Sequence, residues 1–240
     1  GILRGGIYSG KGNDGVDVCT VSAGGDMTLP RVLLADDHTL VLEGFRRLLD
    51  DQCELVGTVG DGRALLEAVP ELKPDIVILD ISMPVLNGID AARVLKVKFP
   101  QVKVVFITMH ADPAYVRAAF EAGASAYLLK RCVGEELGQA IRAVRSGNFY
   151  VTPLVTKDVV ESMLRGIDGG APSGPELTTR QREVLQLLAE GHTVKDIAGT
   201  LKISPRTVEF HKGQIMEQLN LHTTVELVKY ALAQGLTSQT

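Results

Sequence analysis

The sequence predicts an α/β protein: a doubly wound five-stranded parallel sheet followed by a second, smaller all-α helix-turn-helix domain. Three observations predict this fold class. Apolar runs alternate with segments of helical spacing over about 120 residues, which is typical of β-α units. The segment from 176 to 240 has helical periodicity alone, and the Gly/Pro/Ser-rich stretch GIDGGAPSGP precedes it.

Composition limits the possible classes of protein. The chain has 240 residues, of which 45% are hydrophobic and 22% charged, as in an ordinary globular protein. A net charge of −4 gives no overall sign of nucleic acid or membrane, and no apolar run approaches the ~18 residues of a membrane helix. The cysteines are odd in number and widely spaced, which predicts reduced thiols in a cytoplasmic protein: Cys19, Cys53 and Cys132.

The first residues are set apart by their glycine content and lack of periodicity. Met27 directly precedes the first strand-like run, so we expect it to be the natural start. Residues 1 to 26 are then a vector-derived or mis-called leader, and residues 1 to 28 as a whole, leader or disordered, are expected to lie outside the fold. The leader has no continuous apolar core and is therefore not a secretory signal.

Five apolar runs predict the strands of the sheet: RVLLAD, CELVGTV, DIVILD, KVVFIT and AYLL. They are nearly continuous rather than alternating, so both faces of the sheet are expected to be covered by the intervening helices. Ligands of such sheets bind outside the carboxyl ends of the strands, where the strand order reverses. The helices show apolar residues three and four apart, for example Val41, Phe45, Leu48 and Leu49.

Polar side chains stand where these strands end. Asp36 and Asp37 follow the first run, Asp80 the third, Thr108 ends the fourth and Lys130 follows the fifth. One aspartate after a strand is usually a helix cap or a turn residue. Together, at matching places, these five residues predict a site at one edge of the sheet.

The chemistry of this site follows from its charges. Three carboxylates in a small pocket repel one another unless a cation joins them, and hard oxygen ligands with open positions suit Mg²⁺. A carboxylate is also a nucleophile toward phosphorus, and Thr108 and Lys130 would help to neutralise the phosphoryl oxygens. Two functions remain open: a phosphorylation-switched regulator, and a metal-dependent phosphohydrolase or phosphotransferase. Ile81 and Ser82 disfavour the enzyme, which would use a second aspartate two residues after Asp80.

The pattern Asp36-Asp37, Asp80-x-x-Met83-Pro84-x-x-x-Gly88, Thr108 and Lys130 resembles the receiver domain of bacterial two-component response regulators, over residues 29 to 150. The resemblance implies a flavodoxin-like fold in which Asp80 accepts a phosphoryl group from a sensor histidine kinase. It implies Mg²⁺ ligation by Asp37, Asp80 and the carbonyl of Ser82, with Asp36 acting mainly through water. It also implies a switch pair, Thr108 and Tyr127, in which the aromatic ring turns inward.

The second domain, expected at 176 to 240 after a linker from 151 to 175, is helical by period. Thr178 and Thr223 open capping boxes, and Ser204-Pro205 starts a third helix that runs to Leu219. A short second helix, about Val194 to Leu201, completes a helix-turn-helix pattern. Seven basic and seven acidic side chains leave the domain neutral, so a helical bundle for dimerisation or protein contact stays open on charge alone.

The stretch from LTTRQREVLQLLAEG to IMEQLNL resembles the LuxR-type effector of the NarL/FixJ subfamily. The resemblance implies a DNA-binding transcriptional regulator whose third helix enters the major groove of promoter DNA, and which is a homodimer when active. We further hypothesise that the unphosphorylated receiver docks on its own effector and hides this third helix. The implied DNA contacts are Arg206, Thr207 and Lys212 to phosphates and Glu209, Phe210 and Gly213 near bases; the implied dimer contact is Thr224, Leu227, Val228 and Ala231.

Overall fold

The computed structural model describes residues 29–164 and 177–237. The expected leader, residues 1–28, the second part of the expected linker, residues 165–175, and residue 176 lie outside the described residues. None of the described helices is long and apolar enough to cross a membrane.

The first domain is built on a parallel sheet whose strand order is β2-β1-β3-β4-β5-β6. The strands are β1 (Arg31–Ala35), β2 (Glu54–Val59), β3 (Ile76–Leu79), β4 (Lys103–Thr108), β5 (Ala124–Leu129) and β6 (Tyr150–Val151). From β1 the chain first adds β2 on one side and then crosses to β3 on the other, so the strand order reverses between β1 and β3. The crevice at this switch point lies directly beyond Ala35 and Leu79.

Helices cover both faces of the sheet, as the continuous apolar runs predict. They are α1 (Thr39–Leu49), α2 (Gly62–Leu72), α3 (Gly88–Lys98), α4 (Pro113–Glu121) and α5 (Val133–Arg145), with a 3₁₀ turn at Lys130–Cys132. Phe45 and Leu137 pack against one face of the sheet, together with Ile78. Leu65 and Leu95 pack on the opposite face against Phe106. The core is therefore split by the sheet into two layers.

The prediction of five strands was wrong by one. Tyr150 and Val151 form β6, which pairs in parallel with Ala126 and Tyr127 of β5. The fully buried Thr152 holds this strand in place, because its hydroxyl accepts a 3.2 Å hydrogen bond from the amide of Leu129. A two-residue strand gains most of its stability from such tertiary contacts, and it leaves no apolar run in the sequence.

Helix α6 (Pro153–Leu164) follows β6 directly and packs against α4. Val155 is buried in the same core layer as α4, and Val159 packs against it. The first part of the expected linker is therefore part of the receiver-like domain rather than a free connection.

The second domain contains four helices in its described part: α7 (Thr179–Ala189), α8 (Val194–Leu201), α9 (Pro205–Leu219) and α10 (Thr224–Ala233). The predicted capping boxes at Thr178 and Thr223 are present, and Thr193 forms a further one before α8. Ser204 caps α9 by accepting a 3.1 Å hydrogen bond from the amide of Thr207. These caps begin each helix where the sequence predicts it, which confirms the helix-turn-helix architecture of this domain.

Candidate functional site

Two carboxylates and one ammonium meet at the switch point of the sheet. Asp36 directly follows β1, Asp80 directly follows β3, and both are almost fully buried. The Nζ atom of Lys130 lies 2.7 Å from a carboxylate oxygen of each. Burial alone would lower the pKa of Lys130, but its hydrogen bonds to Asp36 and Asp80 and their charges outweigh burial and raise it. The lysine is therefore held as a cation between two buried anions.

A wider acidic cluster surrounds this pair at the surface. One ligand atom each from Asp36, Asp37, His38 and Asp80 lies within 4.8 Å of the others. Asp37 is 37% exposed, and its Oδ1 atom lies 2.8 Å from Nδ1 of His38. Oxygen ligands that combine a buried carboxylate with a water-accessible one fit a hard divalent cation. Sequence reasoning missed His38, although its position directly after the acidic pair could have drawn notice.

The predicted switch residues lie beside this cluster. Thr108 is fully buried at the end of β4, and its hydroxyl accepts a long 3.4 Å hydrogen bond from the amide of His110. Tyr127 is also fully buried, and its hydroxyl donates a 2.9 Å hydrogen bond to the carbonyl of His110. Burial is the main reason why the pKa of Tyr127 is raised, with Asp80 contributing through its charge. The aromatic ring therefore already lies inside the domain.

Ser82 contacts the same loop from the other side. Its hydroxyl lies 2.8 Å from Nε2 of His110, and this imidazole stacks on the ring of Tyr115 with centroids 4.1 Å apart. Burial lowers the pKa of His110, and the charges of Asp80 and Asp112 partly oppose this. The loop after β3 and the loop after β4 are thus joined at one side of the acidic cluster.

The loop between β3 and α3 is folded tightly against Asp80. The amide of Gly88 donates a 2.9 Å hydrogen bond to the carbonyl of Ile81, and a side chain at position 88 would collide with the carbonyl of Asp80. Val85 has a φ of 67°, a left-handed conformation that is rare for a β-branched residue. Such strain persists only where surrounding contacts hold it. Val85 packs against the apolar core of the second domain.

Gln186 of α7 is the polar centre of that interdomain contact. It is 1% exposed, and its side-chain oxygen accepts hydrogen bonds from the amide and the side chain of Asn87, at 2.9 and 3.3 Å. Its nitrogen donates to the carbonyl of Met83 and to the carboxylate of Glu190, both at 2.8 Å. All hydrogen-bonding positions of the amide are used. The second domain therefore binds the main chain of the loop that carries Ser82.

Charged pairs surround this buried amide. Arg63 of α2 lies 3.1 Å from Glu183 of α7, which is 8% exposed. Asp90 of α3 forms a 2.6 Å pair with Arg93 and lies 3.7 Å from Arg182 of α7. The contact thus combines apolar packing, a satisfied amide and paired charges. Sequence reasoning missed all of it, because a glutamine or glutamate in an amphipathic helix usually lies in solvent.

The predicted DNA-contacting residues lie on α9, away from this contact. Arg206, Glu209, Phe210 and Gly213 are exposed, whereas Thr207 and Lys212 are partly buried. The hypothesis that the receiver hides this helix is wrong for this structure, because four of these positions are exposed. The described interdomain contacts are made instead by α7 and by Gly235, which lies against Tyr115 of α4. His211 is partly buried, and its ring lies edge-on to that of Phe210 at 5.9 Å.

Only two of the four residues of the predicted dimer contact lie at the surface of the domain. Leu227 and Ala231 are fully buried in the core of the helical domain, so neither presents a surface to a partner. Thr224 is exposed and Val228 is partly exposed, as is required for such a contact. The two inward positions are the ones that a helical apolar stripe assigns to the domain's own core.

Comparisons with known proteins agree with both domains. Residues 32–142 match the model of the response regulator receiver domain, and residues 175–231 match that of the bacterial regulatory proteins of the luxR family. The oxygen regulatory protein NreC of Staphylococcus carnosus is 37% identical over 86% of this chain and 98% of its own length.

Solved structures are similar as well. The RcsB response regulator of Salmonella typhimurium is 30% identical, with a TM-score of 0.53, over 86% of this chain and 100% of that chain. A complex of the two-component response regulator RcsB with DNA is 29% identical, with a TM-score of 0.54, over 85% of this chain and 98% of that chain.

An acidic pocket at the switch point of a doubly wound sheet, joined to a helix-turn-helix domain, defines a DNA-binding regulator controlled through its first domain. The chain belongs to the NarL/FixJ subfamily of two-component response regulators, with a receiver domain and a LuxR-type effector domain. Members of this family are transcriptional regulators, which excludes the phosphohydrolase alternative.

Proposed function

We propose that Asp80 accepts a phosphoryl group from a sensor histidine kinase and that this reaction controls binding of the effector domain to promoter DNA in the cytoplasm. One observation carries the proposal: Asp80 is a buried carboxylate held between the Lys130 ammonium and the backbone amide of Ile81, at 2.7 and 2.6 Å. These two contacts fix the orientation of the Asp80 carboxylate, which is the nucleophile, within the pocket.

The transfer is a displacement at phosphorus. A carboxylate oxygen of Asp80 forms the new P–O bond while the P–N bond of the kinase phosphohistidine breaks, and the leaving imidazole keeps the electron pair and takes up a proton. Lys130 and the hydroxyl of Thr108 stabilise negative charge on the phosphoryl oxygens. Thr108 ends the strand that neighbours β3, and the Lys130 ammonium lies 2.7 Å from Asp80, which supports these roles.

A divalent cation fits the remaining ligands. Asp37, Asp80 and the carbonyl of Ser82 would hold it, and we take Mg²⁺ as the ion, because it accepts carboxylates, water and a phosphate oxygen together. The bound cation supplies charge neutralisation for the incoming phosphoryl group. Asp36 is paired with Lys130 and would contribute mainly by orienting that lysine or a water.

The link to DNA runs through the loop between β3 and α3. Phosphorylation changes the charge at Asp80, and the loop that begins there is held by Gln186 of the effector. A conformational balance shifts only when a ligand interacts differently with its two states. We propose that the phosphorylated loop binds α7 less well, so that the effector is released, pairs as a homodimer and binds two half-sites.

The test is chemical labelling of the full chain with a small phosphodonor and Mg²⁺. Wild type should gain one acid-stable, base-labile phosphoryl group, and Asp80→Asn should gain none. Asp112→Asn is the matched control: Asp112 caps α4 nearby, and asparagine caps a helix equally well. Unchanged labelling of Asp80→Asn would refute the assignment of the phosphoacceptor.

A further inference from the structure

The exposed face of α9 is a single stripe of side chains. Arg206, Glu209, Phe210 and Gly213 follow the spacing i, i+3, i+4 and i+7, and all four are exposed. The opposite face packs into the effector core through Val208 and Ile215, both fully buried. In a helix-turn-helix domain the exposed face of the second helix meets the major groove. These four positions therefore set what the effector can read, if it binds DNA as proposed above.

Phe210 is the first unusual member of the stripe. Its side chain is 61% exposed, and the ring contact described for it is the edge-on one with His211. The ring is therefore not covered by the effector core. In the major groove, apolar side chains contact the C5 methyl group of thymine, which is the main apolar feature there.

Glu209 is the second unusual member. It is exposed, and in the described part of the chain it takes part in no ion pair and no hydrogen bond. A carboxylate is repelled by phosphates, so it does not contribute to general affinity for DNA. Its specific partner in the major groove is the N4 amino group of cytosine, to which it offers an acceptor. The negative charge therefore favours a base contact over a backbone contact.

Gly213 lies one helical turn after these two side chains on the same face of the helix. It sits inside a 15-residue helix without a positive φ, and no atom lies within 4 Å of the place where a Cβ would be. Neither backbone geometry nor packing within the chain requires glycine here. Glycine costs about 1 kcal/mol relative to alanine at such a position. A bare backbone at the C-terminal end of the stripe instead allows close approach by a bound surface.

We infer that α9 reads each DNA half-site through a cytosine contacted by Glu209 and a neighbouring thymine contacted by Phe210, with Gly213 letting the helix backbone approach the bases. This inference rests on the proposed DNA-binding function. Arg206 and the flanking Lys212 supply phosphate contacts beside this neutral-to-acidic centre. Sequence preference should therefore depend on few contacts, and each should be visible in single variants.

The experiment is a selection from random duplex DNA by the full chain, treated with Mg²⁺ and beryllofluoride as a phosphoryl mimic. Wild type should enrich half-sites in which a G·C pair, contacted through its cytosine, lies next to an A·T pair, contacted through its thymine. Glu209→Gln should move the preference at one position from cytosine to adenine, because a glutamine amide pairs with adenine. Phe210→Ala should remove the thymine preference at the neighbouring position, with about a tenfold loss of affinity for the wild-type site.

Gly213→Ala separates the effect of close approach between the helix backbone and DNA from the effect on folding stability. Its melting temperature should rise, because alanine is the better helix former, while its affinity for the selected site should fall about tenfold. Gly44→Ala is the matched control: Gly44 is also exposed inside a helix, with open space at its Cβ, and lies in the receiver. That variant should gain stability and keep its affinity.

The outcomes are distinguishable. Enrichment of half-sites in which no G·C pair lies next to an A·T pair, or an unchanged motif for either Glu209→Gln or Phe210→Ala, overturns the inference and leaves the proposed function standing. Full affinity of Gly213→Ala overturns the role of close approach. If wild type enriches no sequence at all, the proposed function fails and the inference fails with it.

Discussion

The amide of Asn87 donates a 2.9 Å hydrogen bond to the side-chain oxygen of Gln186, so a buried polar contact joins the receiver to the effector. Asn87 also caps α3 by accepting from the amide of Asp90. One residue therefore ends the loop that begins at the proposed phosphoacceptor, starts a receiver helix and meets the effector. A movement of this loop would therefore displace the hydrogen-bond partners of Gln186 in α7.

Replacing Gln186 by leucine should weaken docking of the effector. The docked state would then leave the carbonyl of Met83 and the amide of Asn87 without these partners, at a cost of about 1–3 kcal/mol. Hydrogen exchange of the Asn87 amide should accelerate roughly 5- to 150-fold. Gln218→Leu is the control, because Gln218 bonds to Gln181 within the effector. Equal exchange rates of the Asn87 amide in wild type and Gln186→Leu would show that the Gln186 side chain does not hold the two domains together.

Docking should strengthen on mild acidification through Glu190. Burial is the largest cause that raises the pKa of this carboxyl group, and hydrogen bonds from Gln186 and the Val85 amide only partly oppose it. The docked state thus binds the proton more tightly than the undocked state. Stability of docking should increase as pH falls through the raised pKa and level off below the ordinary value near 4.3.

Glu190→Gln imitates the protonated carboxyl group. The variant should dock more firmly than wild type at pH 7, with slower exchange of the Asn87 amide, and should lose the pH dependence contributed by this position. A wild-type profile between pH 7 and pH 4.5 that matches the variant's would contradict the assignment to Glu190.

Asp37→Ala should lose most of the affinity for Mg²⁺ measured by calorimetry. Removing one unit charge about 4 Å from a cation costs roughly 1 kcal/mol in bulk water and roughly 4 kcal/mol at an effective dielectric of about 20, so a loss of about tenfold or more is expected for the partly exposed Asp37. Asp36→Ala should lose less, since Asp36 is already paired with Lys130. Asp51→Ala, at an exposed position outside the cluster, serves as the control. Identical titrations for Asp37→Ala and wild type would exclude Asp37 as a ligand.

Thr152→Val should destabilise the receiver. The Thr152 hydroxyl accepts from the Leu129 amide and donates a 2.8 Å hydrogen bond to Glu136, and valine leaves both groups unsatisfied at a cost of about 1–3 kcal/mol. The melting temperature should fall by roughly 2–10 °C. Thr156→Val, at an exposed position one turn later, should change it by much less. A matching small shift for both variants would mean that Thr152 does not secure β6.

The sequence predicts most of the fold because local signals agree with tertiary ones. The strand from Ile76 to Leu79 is wholly apolar and wholly buried, and Thr178 and Thr223 cap the helices that follow them. The strand-end rule likewise brings Asp36, Asp80 and Lys130 together. Each of these features depends on a short stretch of chain or on a general property of parallel sheets.

The remaining features depend on docking between distant parts of the chain. Val85 adopts its left-handed conformation in contact with the effector core, and nothing in its own sequence indicates this. Gln186 is buried only because a receiver loop lies against it. The hypothesis that the receiver hides α9 was wrong for the same reason, since the amphipathic pattern of this helix does not say which surface the receiver covers.

Because β6 and α6 belong to the receiver, the chain segment that connects the two domains is shorter than the sequence predicts. Leu164 and Leu177 are separated by residues 165–176, so they lie at most about 45 Å apart even if that stretch were fully extended. Adjacent half-sites on DNA lie about 34 Å apart. If two receivers pair and release their effectors as proposed, each effector stays within about 45 Å of the end of its own α6, so the geometry of the receiver pair limits which half-site spacings the protein reaches.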